Sequence, residues 1–266
     1  MMTQRRIVVR DDTGITVREL GEGPAVLLIH GWSLSGEVWD RQMRVLAESG
    51  RRVIALDQRG HGGSDAPLHG YGIADLADDA MDVLGALGIS RASVVGWSLG
   101  GMVALRMAHV RPELVERLVM VASNGVAASR TDRFPFGVPA DKPLSAILAA
   151  EHADRITLRR SAVGDPFKEP PAPHVLDWLH RISLQTPTWA GAAAMRTLLC
   201  TEQVEALDGL AVPVTQIIGT CDPALSVRGA RWVADQVGGE LVEFDCGHYP
   251  MLEMADAFDD ALLGAV

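Results

Sequence analysis

The stretch from Val94 to Gly101 constrains the fold of this chain more than any other part of the sequence. A β-branched apolar run ends there in Gly-Trp-Ser-Leu-Gly-Gly, and a helical pattern over Met102–Val110 follows with no loop between. This order predicts a strand, a sharp turn and a helix, with Ser98 at the apex. The glycines let the two backbones approach closely. Because the new helix directs free N–H groups and its positive dipole end at the serine, the segment suits a reactive hydroxyl.

The motif alone is modest evidence. At this glycine and serine content, a G-x-S-x-G pattern arises by chance in roughly one chain of this length in eight. The strand before it and the helix after it strengthen the interpretation. The assignment of Ser98 therefore depends on a base, an acid and an oxyanion hole elsewhere in the chain.

The composition indicates one large domain with a substantial core and room for a small insert. The chain has 266 residues, of which 48% are hydrophobic and 22% charged. Its formal net charge of −10 and its pI near 5.2 argue against nucleic acid or an anionic membrane as a partner. Residues 1–12 lack the apolar segment of a signal peptide, and the aliphatic run Ala25–Ile29 is too short to cross a bilayer. We therefore expect a cytoplasmic protein, and an oligomer is possible but not indicated.

The chain has three cysteines, Cys200, Cys221 and Cys246, and no C-x-x-C motif. An odd and sparse count of this kind predicts reduced thiols in a reducing compartment. Cys221 and Cys246 flank two late loops that are described below. A redox pair is one hypothesis for them, and two buried thiols are the favoured one.

Strand-like and helical patterns alternate through most of the chain, which predicts a doubly wound, mostly parallel sheet of eight strands. The run Ala25–Ile29 is apolar throughout, as in a strand buried on both faces. The predicted strands are Ile7–Arg10, Ile15–Leu20, Ala25–Ile29, Arg52–Leu56, 94–97, Arg117–Ala122, Val212–Ile218 and Glu240–Phe244, and the predicted helices between them are Val38–Ser49, Ile73–Leu87, Met102–Val110, Arg228–Val237 and Met251–Leu263.

The alternation stops at about Ser123 and resumes after about Asp208. No strand-like run lies between them, and helical patterns appear over 144–151, 152–163, 174–184 and 189–201. We expect a helical cap over the carboxyl end of the sheet, where such folds bind ligands; peripheral packing is the alternative. The predicted organisation is a core domain over 1–123, a helical cap over 124–208 inserted after the sixth strand, and the rest of the core over 209–266.

Two loops after late strands carry the partners that a reactive serine needs. Asp222 follows one strand and His248 follows the next, so both lie at carboxyl ends of parallel strands, as does Ser98. A serine hydroxyl needs a base to take its proton, and a histidine serves if a carboxylate fixes its tautomer. The backbone N–H groups of Trp32 and Leu99 are the candidate oxyanion donors.

Each of these residues also has a plainer interpretation. Asp222 alone could be a turn residue before a proline, and His248 alone could be a structural loop histidine. His30 and His61 are rival bases, but each follows an earlier strand, and His30 is better suited to orienting its loop. Asp57 is better suited to bracing the glycine-rich turn that follows it. The order of Ser98, Asp222 and His248 after suitable strands favours the catalytic interpretation.

Taken in order, these motifs resemble those of the α/β-hydrolase family along nearly the whole chain. They are His-Gly-Trp at 30–32, Asp-x-Arg-Gly-x-Gly-x-Ser at 57–64, Gly-x-Ser-x-Gly-Gly at 96–101, the Asp222 loop and Gly-His at 247–248. The resemblance implies Ser98 as nucleophile, His248 as base and Asp222 as acid, with no metal and no cofactor. The chain looks most like small esterases, enol-lactonases and cofactor-free haloperoxidases. Some relatives carry an extra acid after the sixth strand, where this chain has Ser-Asn-Gly over 123–125.

The resemblance implies a serine hydrolase that cleaves a carboxylic ester or a lactone through an acyl-enzyme on Ser98. Family members with an aspartate nucleophile open epoxides or remove halides, and a serine argues against both. Two alternatives stay open. One is cofactor-free chemistry without hydrolysis, such as an oxygenase, lyase or cyclase that uses His248 and Asp222. The other is a ligand receptor that retains the three residues for recognition.

Several large apolar side chains are candidates for substrate contact, and they predict an apolar small-molecule substrate. Core packing is at least as good an interpretation for any one of them. No arginine cluster indicates a carboxylate clamp, because Arg106, Arg155, Arg159 and Arg160 lie on helices and are expected to be solvated. The candidate substrate contacts are Trp32, Trp97, Phe134, Phe136, Trp178, Trp189 and Met195.

Overall fold

The structure is a computed structural model that describes all 266 residues. Its eight strands form one sheet in the order β1-β2-β4-β3-β5-β6-β7-β8. The β1–β2 hairpin is antiparallel and pairs antiparallel with β4, whereas all other neighbours are parallel. The predicted fold class is confirmed. The strands are β1 Thr3–Val8, β2 Gly14–Leu20, β3 Ala25–Ile29, β4 Arg52–Leu56, β5 Ala92–Trp97, β6 Val115–Val121, β7 Val214–Gly219 and β8 Glu240–Phe244.

The chain has ten α-helices, and four of them lie between β6 and β7 in the sequence. The helices are α1 Asp40–Glu48, α2 Ile73–Ala86, α3 Leu99–Val110, α4 Asp141–Ala153, α5 Arg155–Gly164, α6 Pro173–Ser183, α7 Thr188–Cys200, α8 Val227–Val237, α9 Pro250–Glu253 and α10 Ala255–Ala265. We call α4–α7 the inserted helices. Their position agrees with the helical patterns in the sequence. No helix in the chain combines the length and the apolar character that crossing a membrane requires.

Two hydrophobic cores lie on the two faces of the sheet, because successive side chains of a strand point to opposite faces. Leu27 of β3 belongs to a core of 34 buried residues that includes α2, α3 and α8. Leu28 belongs to a second core of 24 residues with α1 and α10. Phe134 and Ala194 lie between β6 and β7 and belong to the first core. The inserted segment is therefore joined to the sheet by shared packing.

The prediction of one continuous helix over Met251–Leu263 is wrong. The structure breaks it at Met254, whose φ of −129° and ψ of 45° are not helical. The Glu253 side chain turns back and accepts hydrogen bonds from the backbone N–H groups of Gly247 and Tyr249. This carboxylate anchors the loop that carries His248. The apolar periodicity of the sequence does not show this local competition with the helix.

Candidate active site

Ser98 stands at a strained turn between β5 and α3. Its φ of 55° and ψ of −117° lie in a region that residues other than glycine rarely adopt. The turn is held by a hydrogen bond from the Ser98 N–H to the carbonyl of Val121 on the neighbouring strand, at 2.9 Å. Such strain is stable only where the surrounding structure enforces it. The fold thus holds this serine at the carboxyl edge of the sheet.

Neighbouring backbone lies so close to Gly96 and Gly100 that neither position has room for a side chain. A Cβ on Gly96 would lie 2.1 Å from the carbonyl oxygen of Gly100. A Cβ on Gly100 would lie 2.4 Å from the carbonyl oxygen of Ile29 in β3. Neither contact is possible for real atoms, so α3 begins as close to β3 and β5 as backbone allows.

Asp222 and His248 are brought together from the loops after β7 and β8. The His248 Nδ1 lies 2.7 Å from Asp222 Oδ2. The other oxygen, Oδ1, accepts hydrogen bonds from the backbone N–H groups of Ala224 at 2.8 Å and Leu225 at 3.0 Å. The Asp222 side chain is fully buried. Both of its oxygens are therefore engaged, and the carboxylate is fixed in one orientation toward the imidazole.

The His248 ring is supported by Trp97, the residue before the candidate nucleophile. The Trp97 indole N–H donates to the carbonyl of His248 at 2.9 Å, and the two ring centroids are 5.3 Å apart. The His248 N–H donates to the carbonyl of Pro166 at 2.8 Å. Trp97 is 2% exposed. This predicted substrate contact thus lies behind the histidine, where it braces the loop.

The rival histidines are buried and serve the loops near them. The His30 Nε2 accepts a hydrogen bond from the Gln58 N–H at 2.9 Å, and Nδ1 lies 2.7 Å from the Gly31 carbonyl. The His61 Nδ1 lies 2.9 Å from the Arg59 carbonyl. Burial lowers the pKa of His30 to about 4 and that of His61 to about 3. His30 thus orients its loop, as the sequence suggests.

These two histidines predict an acid-sensitive fold. Below pH 6.5 the unfolded chain protonates both rings, whereas the folded chain keeps them neutral until pH approaches 4 and 3. The free energy of unfolding is therefore highest above pH 6.5 with respect to these two rings. It falls as the pH drops, by about 1.4 kcal/mol per pH unit for each ring. Urea unfolding at about pH 7, 6 and 5 measures this slope.

The matched control for this prediction is His61→Asn. Asparagine keeps an N–H donor for the Arg59 carbonyl but does not titrate. The variant is expected to lose about half of the pH dependence between pH 6.5 and 5. An unchanged slope would show that His61 does not contribute.

Asp57 has the bracing role that its sequence context indicates. Its Oδ1 accepts from the Gly36 N–H at 2.8 Å and from Arg18 at 2.6 Å, and Oδ2 accepts from the Gly63 N–H at 2.9 Å. The side chain is completely buried. Asp57 therefore joins the loops after β3 and β4 and has no free oxygen for chemistry.

The residues predicted to supply the oxyanion donors are Leu99 and Trp32. Leu99 is the first residue of α3, so its N–H has no partner within the helix. Trp32 follows Gly31, and a Cβ on Gly31 would lie 3.0 Å from the Cβ of Ser98. The loop after β3 therefore passes directly against the serine. The side chain of Trp32 points toward the inserted helices, and its indole N–H donates to the Gly191 carbonyl at 2.8 Å.

A cavity of about 260 Å³ contains both Ser98 and His248. Its walls come from the segment after β6, the Asp222 loop and the inserted helices, and most of its lining residues are hydrophobic. Besides Ser98 and His248, the polar lining residues are Ser123, Asn124 and Ser129, and all three are buried. Lining residues that sequence reasoning missed include Met102, Asn124, Ser129, Ile147, Leu198, Leu199 and Leu225.

Met195 is the one predicted substrate contact among the residues that line this cavity. Leu198 and Leu199 lie three and four positions after it on α7, so helical spacing could have indicated them. The other aromatic candidates lie elsewhere. Phe134 and Phe136 pack against Trp232, Trp178 packs in the second core, and Trp189 is exposed with its indole N–H directed at the Ala66 carbonyl.

The expectation that Arg159 is solvated is wrong. Its side chain is fully buried in α5, where its guanidinium makes two hydrogen bonds of 2.8 Å to the carboxylate of Glu151. Arg155 is half-buried and donates to the Leu184 and Thr186 carbonyls. Arg160 is exposed, as expected, and pairs with Asp177. Helical position alone did not reveal the buried partner of Arg159.

The two cysteines beside the candidate site differ in burial. Cys246 is buried, and burial raises the pKa of its thiol to about 12. Cys221 is exposed, so the prediction of two buried thiols is wrong for it. The Cys221 N–H donates to the Cys246 carbonyl at 3.0 Å, which ties the two loops together through backbone.

A central parallel sheet with a serine turn after β5 and two late loops at the same edge defines an α/β hydrolase. Comparison with known proteins agrees, because the family profile described as alpha/beta hydrolase fold matches residues 24–255. The chain belongs to the α/β-hydrolase fold family. Membership of this family supports hydrolase activity on a small-molecule substrate.

Several relatives align over most of the chain. It is 37% identical over 262 residues to an uncharacterized protein of Mycobacterium tuberculosis, covering 91% of this chain and 75% of that protein. It is 33% identical to a pimeloyl-[acyl-carrier protein] methyl ester esterase of Nitrosomonas europaea, covering 92% and 96%. An esterase structure from Exiguobacterium antarcticum has a TM-score of 0.94, with 24% identity and 98% of both chains covered. The last similarity shows the fold.

Proposed function

We propose that the protein is a serine hydrolase that cleaves a carboxylic ester or a lactone through an acyl-enzyme on Ser98. The observation that carries the proposal is the 2.7 Å hydrogen bond between Asp222 and His248. His248 and Ser98, at its strained turn, line the same cavity. Because Asp222 Oδ2 requires an N–H at Nδ1, the lone pair of the imidazole is at Nε2. That nitrogen is the one that accepts a proton from serine.

The reaction follows from these positions. As the Ser98 Oγ bonds to the substrate carbonyl carbon, His248 Nε2 takes the hydroxyl proton. The resulting oxyanion is stabilised by the backbone N–H groups of Trp32 and Leu99, and one such donor is typically worth about 2.7–4 kcal/mol. The C–O bond to the leaving group then breaks, and His248 gives that oxygen its proton. In a lactone the leaving hydroxyl stays attached to the acyl group.

Water completes the cycle. His248 takes a proton from a water molecule as its oxygen attacks the acyl-enzyme carbonyl, and a second tetrahedral oxyanion forms at the same donors. This intermediate collapses, Ser98 Oγ leaves with the proton from His248, and the carboxylic acid is released. Asp222 holds the imidazole in place and stabilises the imidazolium in both halves of the cycle.

The cavity favours a small, mostly apolar substrate. Its volume of about 260 Å³ is modest and its walls are largely aliphatic, whereas sites for larger drug-sized ligands occupy about 300–1,000 Å³. We assign the segment 124–208 as a cap, because Ile147, Met195 and Leu198 reach the cavity from its helices. The 33% identical relative that is a methyl ester esterase supports an ester as the substrate class.

Covalent labelling tests the proposal directly. A fluorophosphonate is expected to add to Ser98 alone, which peptide mass spectrometry detects. The same preparation is expected to hydrolyse short p-nitrophenyl esters faster than long ones, because the cavity limits the acyl group. A panel of esters and lactones with graded chain length measures this profile.

Labelling at another serine, or turnover that labelling does not block, would contradict the acyl-enzyme. A folded, labelled protein that turns over no ester or lactone would instead favour one of the other hypotheses. Activity on another ligand that depends on His248 and survives loss of Ser98 would indicate cofactor-free chemistry. Tight binding without turnover would indicate a receptor.

A further inference from the structure

Arg159 and Glu151 form an ion pair that is buried from solvent. The Arg159 and Glu151 side chains are 0% and 1% exposed, and two parallel hydrogen bonds of 2.8 Å join them. A third bond of 3.0 Å joins Arg159 to the Ser183 carbonyl. Removing two charges from water is costly, so an apolar pair of similar volume is often as stable or more so. The pair therefore calls for a role other than stability.

The guanidinium of Arg159 is directed at Trp32. Its central carbon lies 4.5 Å from the centroid of the indole, within the range of a cation–π contact. The indole N–H donates to the Gly191 carbonyl of α7 at 2.8 Å. A Cβ on Gly191 would lie 2.0 Å from Arg159 Nη2, so α7 approaches the guanidinium as closely as glycine allows. Two inserted helices thus hold the face and the N–H of one indole.

The backbone next to Trp32 is strained and is held by the end of α6 and the segment that follows it. Ser33 has a φ of 60°, which is unusual for a residue other than glycine. Its hydroxyl lies 2.9 Å from the hydroxyl of Ser183, whose carbonyl accepts from Arg159. The Thr186 hydroxyl donates to the Ser33 carbonyl at 3.4 Å. The conformation of this loop therefore depends on the inserted helices.

We propose that the Glu151–Arg159 pair positions the oxyanion hole by holding Trp32, so that its backbone N–H is directed at the substrate carbonyl bound at Ser98. The inference rests on the proposed function. Arg159 is a positioning residue, because it acts through Trp32 and not on the substrate. An oxyanion donor acts only in the transition state, and misplacing a reacting group by about 1 Å costs about 10²-fold in rate.

The decisive variant is the double substitution Glu151→Leu/Arg159→Met. It replaces the pair with apolar side chains of similar volume, so the fold is expected to remain about as stable. Arg155, whose Nε lies 3.7 Å from Glu151, loses that partner but is partly exposed and keeps its hydrogen bonds to the Leu184 and Thr186 carbonyls. We expect kcat for a p-nitrophenyl ester to fall about 10- to 100-fold with little change in KM. Affinity for a boronic acid, which forms a tetrahedral adduct with serine, is expected to fall by the same factor. Thermal unfolding checks the fold.

Two further variants keep the test decisive. Arg159→Lys keeps the charge but loses the planar group that stacks on the indole, so an intermediate loss of kcat is expected. It serves in place of the double variant if that protein does not fold. Arg160→Met removes the exposed neighbour and is expected to have wild-type kcat and boronic acid affinity.

The inference and the proposed function fail differently. If Ser98→Ala is inactive but the folded double variant keeps wild-type kcat, Arg159 does not position the oxyanion hole. A change confined to KM, or a loss of kcat that follows a loss of thermal stability, also overturns the inference. If Ser98→Ala is active, the proposed function fails whatever the double variant does.

Discussion

Replacing Ser98 with alanine is expected to lower kcat for a p-nitrophenyl ester by about 10⁶-fold. The Ser98 side chain supplies the oxygen that would bond to the acyl group, and no other side chain of the turn has a hydroxyl. Alanine fits the space, so α3 and β5 are expected to stay as they are. The measurement is single-turnover ester hydrolysis, with circular dichroism to verify that the variant is folded.

Ser129→Ala is the matched control for this variant. Ser129 lines the same cavity and is buried, whereas Ser98 is half-buried. Ser129 lies beyond β6, and its hydroxyl makes no hydrogen bond to His248 or Asp222. Its loss is expected to leave kcat close to the wild-type value. If Ser98→Ala retained substantial activity while Ser129→Ala lost it, the nucleophile would have been assigned to the wrong serine.

Asp222→Asn is expected to lower kcat by about 10⁴-fold at neutral pH. The N–H groups of Ala224 and Leu225 require an oxygen at the Oδ1 position, so the amide nitrogen of asparagine must face His248. Two donors cannot share that hydrogen bond, and the imidazole is expected to change tautomer. Its Nε2 then carries a proton and cannot accept one from Ser98. The pH profile of kcat measures the loss.

Asp245→Asn is the control for this substitution. Asp245 lies near His248 in sequence, but its side chain is 77% exposed and pairs with Lys168 at 2.7 Å. Removal of its charge is expected to change kcat little, because solvent screens an exposed pair. Equal effects of the two substitutions would indicate that general electrostatics, and not the tautomer of His248, explain the loss.

The sheet was predictable because each strand carries its own local signal. The run Ala25–Ile29 is apolar throughout and is buried on both faces in the structure. The glycines of the Ser98 turn indicate a close backbone contact, because a side chain at those positions would clash with it. These signals arise within a few residues, so they can be read without the rest of the fold. The break of the last helix at Met254 depends on where Glu253 finds its partners, and periodicity does not show that.

The candidate triad was predictable for a related reason. Parallel strands end at one edge, so Ser98, Asp222 and His248 were expected at the same edge of the sheet once their strands were identified. The structure joins Asp222 to His248 and places His248 and Ser98 in the lining of one cavity. The surroundings were not predictable to the same degree. Trp97 and Phe134 are apolar enough for either a core or a binding wall, and only long-range packing decides between them. Arg159 is charged, and nothing near it in sequence places its guanidinium against Trp32.

The residues of the candidate site meet across very long stretches of chain. The hydrogen bond from Trp97 to His248 joins residues 151 positions apart, and the bond from Trp32 to Gly191 joins residues 159 positions apart. Contacts of this kind form slowly, because a large loop must close before they are made. Secondary structure is therefore expected to return before ester turnover when the unfolded chain is refolded. Recovery of activity would then report the final, non-local step of folding.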